Sequence, residues 1–379
     1  MKETPCYREF GGGRHRGYDR ARRPWRTTVD RRLFIAAIAA GIMVPAGAHA
    51  AAPIQWVVPF EQGGGTDVWA RFMAGWLSAT LPGRPEVRRL NISGGNSTRA
   101  ANFFAAEARA DGRMLLGTTG STQFAALLGD RRVQYDYADW RIVAASPSGG
   151  VIYVPASLGI GSMAELIARG QKVHFGSIGA ASLDIVPLLA LEILGLEVAV
   201  LLGLNSRNAA RAGLIAGEFD VDYQTSPGYL AQVRPLVEAG QVVPLMSLGA
   251  LDRNGRLDRD PAFPALPSFL EVYRQIHGRD PEGAAWQAWQ ALFRAGFAAQ
   301  KMVFLPRSVP EARTDVFRRA FARIAADRRF RAEASAVLGP YPLLAGPQAD
   351  AALASAMTMV PEIRNWTRDW LERRFRVTP

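Results

Sequence analysis

The chain has 379 residues, 49% of them hydrophobic and 21% charged, with a formal net charge of +11. That length suits two domains or one large one, and that composition buries a real core, which excludes a disordered chain. Residues 1–50 hold ten Lys/Arg and four Asp/Glu, so +6 of the excess is N-terminal and only +5 is scattered over the rest. With no basic stripe and no interleaved aromatics, no nucleic-acid partner is expected.

In chain order, the N-terminus reads first as an export signal over 1–50. A basic region ending in Arg31-Arg32 runs into the apolar stretch Leu33 to Val44, followed by Ala48-His49-Ala50, a small-x-small cleavage site. Twelve apolar residues are too few to span a bilayer. Asp30-Arg31-Arg32-Leu33-Phe34-Ile35 is also similar to the twin-arginine motif, and the sequence leaves open which export route is used. The expectation is a periplasmic protein cleaved near Ala50. The only cysteine, Cys6, precedes that cut, so the mature chain has no disulfide, thiolate nucleophile or lipid anchor.

From Pro53 onward short β-like runs alternate with helical ones, as in α/β layers on a largely parallel sheet. Ile54–Val58 is the first strand, and Trp69, Phe72, Met73, Trp76 and Leu77 mark the face of a helix that stops before Pro82-Gly83. Further strand–helix units follow: Met114–Leu116 with Phe124–Leu128, Val173–Phe175 with Ile185–Leu194, Val198–Leu202 with Ala209–Ala216, and Phe219–Tyr223 with Tyr229–Val237. Val242–Leu248 reads as a strand and 252–267 as a long polar connection. The C-terminal part is mostly helical around a short strand at Met302–Leu305.

Each informative loop joins the carboxyl end of a strand to a helix, the edge where open α/β sheets bind ligands. The first carries Gly63, Gly64, Gly65, Thr66 and Asp67, a tight glycine turn opening a helix that Thr66 or Asp67 caps. Neither GxGxxG nor a P-loop ending is present, which argues against a nucleotide. The other loops carry Thr118, Thr119, Gly120, Ser121 and Thr122, then Ser177 to Ser182, then Ser206 and Arg207, then Thr225. One Ser/Thr cluster is commonly just a helix cap. Five on one edge supply the several donors that a buried carboxylate needs, since one helix end returns only about 0.3–1 kcal/mol, up to ~2 in favourable geometry.

The stretch Ile54 to Asp67 resembles the opening of the tripartite tricarboxylate transporter substrate-binding proteins, the Bug family: a strand, a Pro-Phe turn, a glycine run and an Asp. Ala110-Asp111-Gly112 before Leu115–Thr118, Ser162 to Leu166, Phe175 to Gly179, and Gly217 to Val221 keep the family's order. The resemblance implies a two-domain periplasmic-binding-protein (flytrap) fold, type II-like, with the ligand cleft between domains. Domain one would cover 53–148 plus 248–379 and domain two 149–247. It implies a small carboxylate or amino-acid ligand delivered to membrane subunits of a tripartite tricarboxylate transporter, with no cofactor. Gly63 to Asp67 and Thr118 to Thr122 would cradle a carboxylate, and Ser177, Ala181 and Ser182 would close over it. Asp184 stands where a histidine is common in the family, and it could pair with a ligand amino group; Arg207 could pair with a second carboxylate. For both, a solvated charge at a helix start is the competing reading.

A ligand-presenting sensor of a signalling system needs the same pocket, so the sequence does not separate it from transport. A hydrolase with a non-local site is the rival of another class. Against it stand the missing GxSxG and HExxH motifs and the two histidines left after the cut, His174 in an apolar β-run read as core and His277. No enzyme activity and no metal are expected, and a monomer is.

Overall fold

Ile54–Val58 forms β1 because its apolar residues are covered on both faces: Ile54, Trp56 and Val58 join one hydrophobic cluster and Val57 another. The computed structural model describes residues 52–252 and 255–378, so the expected export signal lies outside the described residues. After β1 come α1 (Gly65–Thr80), β2 (Val87–Asn91), α2 (Thr98–Glu107), β3 (Met114–Gly117), α3 (Gly120–Leu128) and β4 (Trp140–Ser146). Trp69, Met73 and Leu77 of α1 are fully packed, worth roughly 1.5–3 kcal/mol for each large side chain removed from water. Phe72 and Trp76, on the same helix, pack against the Phe330 ring. The helix gives way to extended backbone at Leu81, just before Pro82.

The chain then crosses into β5 (Gly150–Pro155), α4 (Met163–Ala168), β6 (Val173–Ser177), α5 (Ile185–Ile193), β7 (Val198–Leu202), α6 (Arg207–Ile215), β8 (Asp222–Thr225), α7 (Ser226–Gly228), α8 (Arg234–Glu238) and β9 (Val242–Ser247). It returns through a small hairpin, β10 (Ala250–Leu251) and β11 (Leu257–Asp258), to α9 (Phe269–His277), α10 (Gly283–Phe293) and β12 (Lys301–Pro306). Four helices finish it: α11 (Glu311–Ala326), α12 (Arg328–Val337), α13 (Pro347–Ala356) and α14 (Pro361–Phe375).

The first sheet has the order β2-β1-β3-β12-β4. The strands of the middle segment repeat that pattern: β8-β5-β9 pair directly, β6 pairs with β7, and a parallel bridge from Phe175 to Val221 sets β6 beside the entry to β8. β1–β2, β1–β3 and β6–β7 are parallel, while β12 runs antiparallel to β3 and β4, and β5 to β8 and β9. The largely parallel sheet expected from sequence is thus two sheets with one reversed strand each. The reversed strand is the one delivered from the other side of the molecule: β5 directly after the crossing from β4, and β12 after the return.

Gly149 sits in that crossing, between β4 and β5. Its N–H donates to Ser226 Oγ at 3.1 Å and its carbonyl accepts from Ser226 N at 3.0 Å. A Cβ here would overlap the Asp260 carboxylate and the Tyr341 hydroxyl. Tyr341 donates to Asp260 Oδ1 at 2.6 Å and contacts Ser226 Oγ at 2.8 Å, so a buried polar knot ties the crossing to the return segment.

Strands β2, β4 and β5 escaped the sequence reading. β2 (VRRLN) is a sheet edge with outward arginines and no apolar alternation. β4 and β5 are joined by Pro147-Ser148-Gly149, whose turn composition obscures two strands that share no sheet. His174 is also corrected: its side chain is 60% exposed, with Nδ1 2.8 Å from Asp220 Oδ2, because it occupies the solvent face of β6.

Candidate ligand-binding site

The strand-to-helix loops of both sheets meet around one cavity of about 60 Å³. Gly63 takes φ +82°, a conformation that favours glycine, and its carbonyl accepts from the Gln232 amide on the far side. Gly64 is the N-cap of α1, and Gly64, Gly65 and Thr66 line the cavity. Asp67 does not. It is fully buried, with Oδ2 accepting from Gly63 N (3.0 Å) and Arg71 (2.7 Å) and Oδ1 from Asn91 (3.2 Å). Burial pushes its pKa up, but these hydrogen bonds and the Arg71 charge outweigh that and hold it below the ordinary value. Asp67 is therefore a clasp that fixes the glycine turn from behind, rather than a helix cap or a ligand contact.

The second loop divides in the same way. Thr119 caps α3 through Ser121 N at 3.2 Å, and Thr122 completes the capping box and donates to Ser97 at 3.0 Å. Thr119 and Ser121 line the cavity; Thr122 and Gly120 stand behind it. A Cβ at Gly120 would fall 2.5 Å from Leu183 Cδ1 and 2.8 Å from Gly296 Cα, so this glycine permits close approach of three segments. Ser121 Oγ accepts from Leu183 N at 2.9 Å, a hydrogen bond between the two halves.

From the middle segment, Asp184, Ser206, Arg207 and Thr225 line the cavity, whereas Ser177, Ala181 and Ser182 are buried outside it. Ser206 caps α6 through Ala209 N at 3.3 Å. Asp184 and Arg207 are not solvated charges at helix starts. Asp184 is fully buried and accepts from Ser177 Oγ (2.8 Å), Ile178 N (2.7 Å), Tyr223 OH (2.8 Å) and Arg207 (3.2 Å). Arg207 also donates to Gly176 O at 2.7 Å and ion-pairs with Asp222, with its guanidinium 4.6 Å from the Tyr223 ring centroid. Burial, reinforced by the Asp184 charge, pushes the Tyr223 hydroxyl far above its ordinary value, which keeps it a donor. The two residues assigned opposite ligand roles in the sequence are partners of each other.

Sequence reasoning missed Phe60, Glu61, Ile178, Leu183, Asn208, Tyr223, Gln224 and Gln300 on the cavity wall. Seven of these lie within three residues of ones it did name, Tyr223 and Gln224 among them, on β8 just before Thr225. Gln300 lies far along the chain, and only the reversed strand β12 brings it here. The wall is rich in hydroxyl and amide donors, and its charges are Glu61, Asp184 and Arg207, the last two committed to one another.

The halves also approach closely at Gly65, where a Cβ would lie 2.5 Å from Thr225 Oγ1 and 3.3 Å from Gly228 N. At Gly64 the nearest atom would be Glu61 O at 3.8 Å. Gly65→Ala is expected to hold the halves apart and weaken ligand binding at least about tenfold, while Gly64→Ala stays within about twofold. Titration calorimetry of the two variants with an acid bound by the parent checks this; equal affinities would mean the Gly65 contact is not needed for binding.

Two crossings between sheets of matching strand order, with a cavity where their carboxyl-end loops face each other, define the two-lobed fold of periplasmic solute-binding proteins. Solved structures share it: R. palustris Rpa4515 with adipate (TM-score 0.63, 20% identity, 81% of this chain and 94% of that one) and the periplasmic binding protein BugD (TM-score 0.63, 18% identity, 84% and 97%). No family model matches the chain. Protein BugT of Bordetella pertussis (strain Tohama I) is 28% identical over 292 residues, covering 74% of this chain and 82% of the relative. The chain is thus similar in sequence to one Bug protein and shares its fold with another.

Proposed function

We propose that this protein captures a small carboxylate in the periplasm by closing its lobes, 53–148 plus 248–379 over 149–247, and delivers it to transporter subunits in the membrane. The observation that carries this reading is convergence: hydroxyl and amide donors from loops of both sheets border one small cavity at the N-terminus of α1. A carboxylate taken from water loses several kcal/mol of solvation, and one helix end offsets only part of it, so a ring of donors is the required arrangement. Rpa4515, a structure of the same fold, is described with adipate. Among the described residues no helix is long and apolar enough to cross a membrane. We assign the site to binding rather than catalysis because its buried carboxylate–arginine set is locked in internal hydrogen bonds.

The test is a melting-temperature screen of the purified chain against adipate, malate, glutamate and benzoate, with the uncharged diamide adipamide as control. A ligand that binds only the folded state stabilises by about 2.7 kcal/mol at a hundredfold excess over its Kd. At least one acid is expected to give a saturable rise, and adipamide none. A rise with adipamide equal to that with adipate would overturn recognition of charge; a flat response to every acid would overturn the carboxylate reading.

A further inference from the structure

The chain's cations are almost all arginine. Of 45 Lys+Arg only three are lysines: Lys2, Lys172 and Lys301. Lys172 is half exposed, 2.6 Å from Glu197. Lys301, the first residue of β12, is buried to 1% exposure, and among the described residues no carboxylate lies within ion-pair distance of it. Its Nζ hydrogen-bonds to one group, Gln300 Oε1. Gln300 is itself buried and lines the cavity.

Neighbouring charge does not relieve this lysine. β3 (MLLG) has no titratable residue, and β4 has only Arg141, at the far end of its pairing with β12 and bound to Glu311. On α1, Asp67 is held by Arg71. On the cavity wall Asp184 and Arg207 hold each other, and Glu61 is exposed. Burial alone therefore presses the Lys301 amine well below the ordinary lysine range. Arginine, which stays protonated, cannot do this.

We propose that Lys301 senses ligand charge through Gln300: an anion docked against the Gln300 amide draws a proton onto the enclosed Nζ that the same amide's oxygen holds. The proton comes from solvent onto Nζ, and no other bond is made or broken. With Gln300 Oε1 accepting from Lys301, the N–H end of the same amide is the end left for the anion, so each hydrogen bond strengthens the other. An uncharged ligand gains nothing from this relay. The proposal rests on the carboxylate reading above and adds that binding takes up about one proton per anion.

The experiment uses the full chain with ¹³C-labelled lysine, whose three side chains give three signals; Lys301→Met identifies the one of interest. The Lys301 signal is expected to titrate well below the ordinary lysine value of about 10.4. It should move upward on saturation with whichever of adipate, malate, glutamate or benzoate raises the melting temperature, and not with adipamide. Calorimetry in two buffers of different ionisation enthalpy should register proton uptake, and Lys301→Met should abolish it while weakening affinity ~tenfold. A Lys301 signal titrating in the ordinary range overturns the proposal, as does an acid that binds without moving it. If none of the four acids binds, the carboxylate reading has failed and this inference falls with it.

Discussion

Arg207→Ala is expected to destabilise the protein by about 3–5 kcal/mol, the cost of leaving a buried charge uncompensated. Two buried carboxylates, Asp184 and Asp222, depend on this guanidinium. Alanine also removes the cation above the Tyr223 and Phe175 rings and the donors to Gly176 O and Tyr223 O. Urea denaturation at neutral pH would read the change as a shifted midpoint. Arg207→Lys keeps the charge but lacks the planar fork that spans two carboxylates and two carbonyls, so it should fall between parent and alanine. A loss below about 1 kcal/mol for alanine would mean that these carboxylates relax into water.

The second large effect concerns Asp260, in the knot beside the β4–β5 crossing. Burial raises its pKa to about 6, although hydrogen bonds from Tyr341 and the Ala262 amide pull the other way. Its Oδ2 has no hydrogen-bond partner among the described residues. Because the folded pKa exceeds the ordinary 3.8, the folded state holds the proton more tightly than the unfolded one. The contribution is complete below about pH 4, fades as pH rises through about 6, and is gone above. At about 1.36 kcal/mol per unit the loss across that window is about 3 kcal/mol. Asp260→Asn should flatten this part of the stability–pH curve, since the amide does not titrate there. Chemical denaturation of both proteins at several pH values between 4 and 8 checks it; parallel curves would remove Asp260 as the source.

The first strand, α1 and its end before Pro82 were legible because local pattern and packing agree there: β1 and α1 bury the residues their periodicities single out. The loop positions were legible for a related reason, since parallel strands each followed by a helix point their connecting loops to the same edge. What local sequence does not carry is which atom of a loop faces inward. Asp67, Thr122 and Ser177 have the same chemistry as their cavity-lining neighbours, yet they turn back to hold the loops. Nor does spacing reveal that Asp184 and Arg207, 23 residues apart, would neutralise each other. Gln300 reaches the cavity, and Lys301 the space behind it, through β12; the strand itself was legible at Met302–Leu305, but nothing local marks it as reversed after two crossings.

The scarcity of lysine has a practical side. Between residues 52 and 378 an amine-reactive reagent meets two lysines, and Lys301 is enclosed behind the cavity wall. Lys172, beside β6, is thus the one accessible lysine among the described residues. Lys2 is the chain's remaining lysine, at the opposite end of the expected cut from both. A dye attached at Lys172 would mark one lobe at a fixed address without any engineered cysteine, ready-made for testing whether the other approaches it.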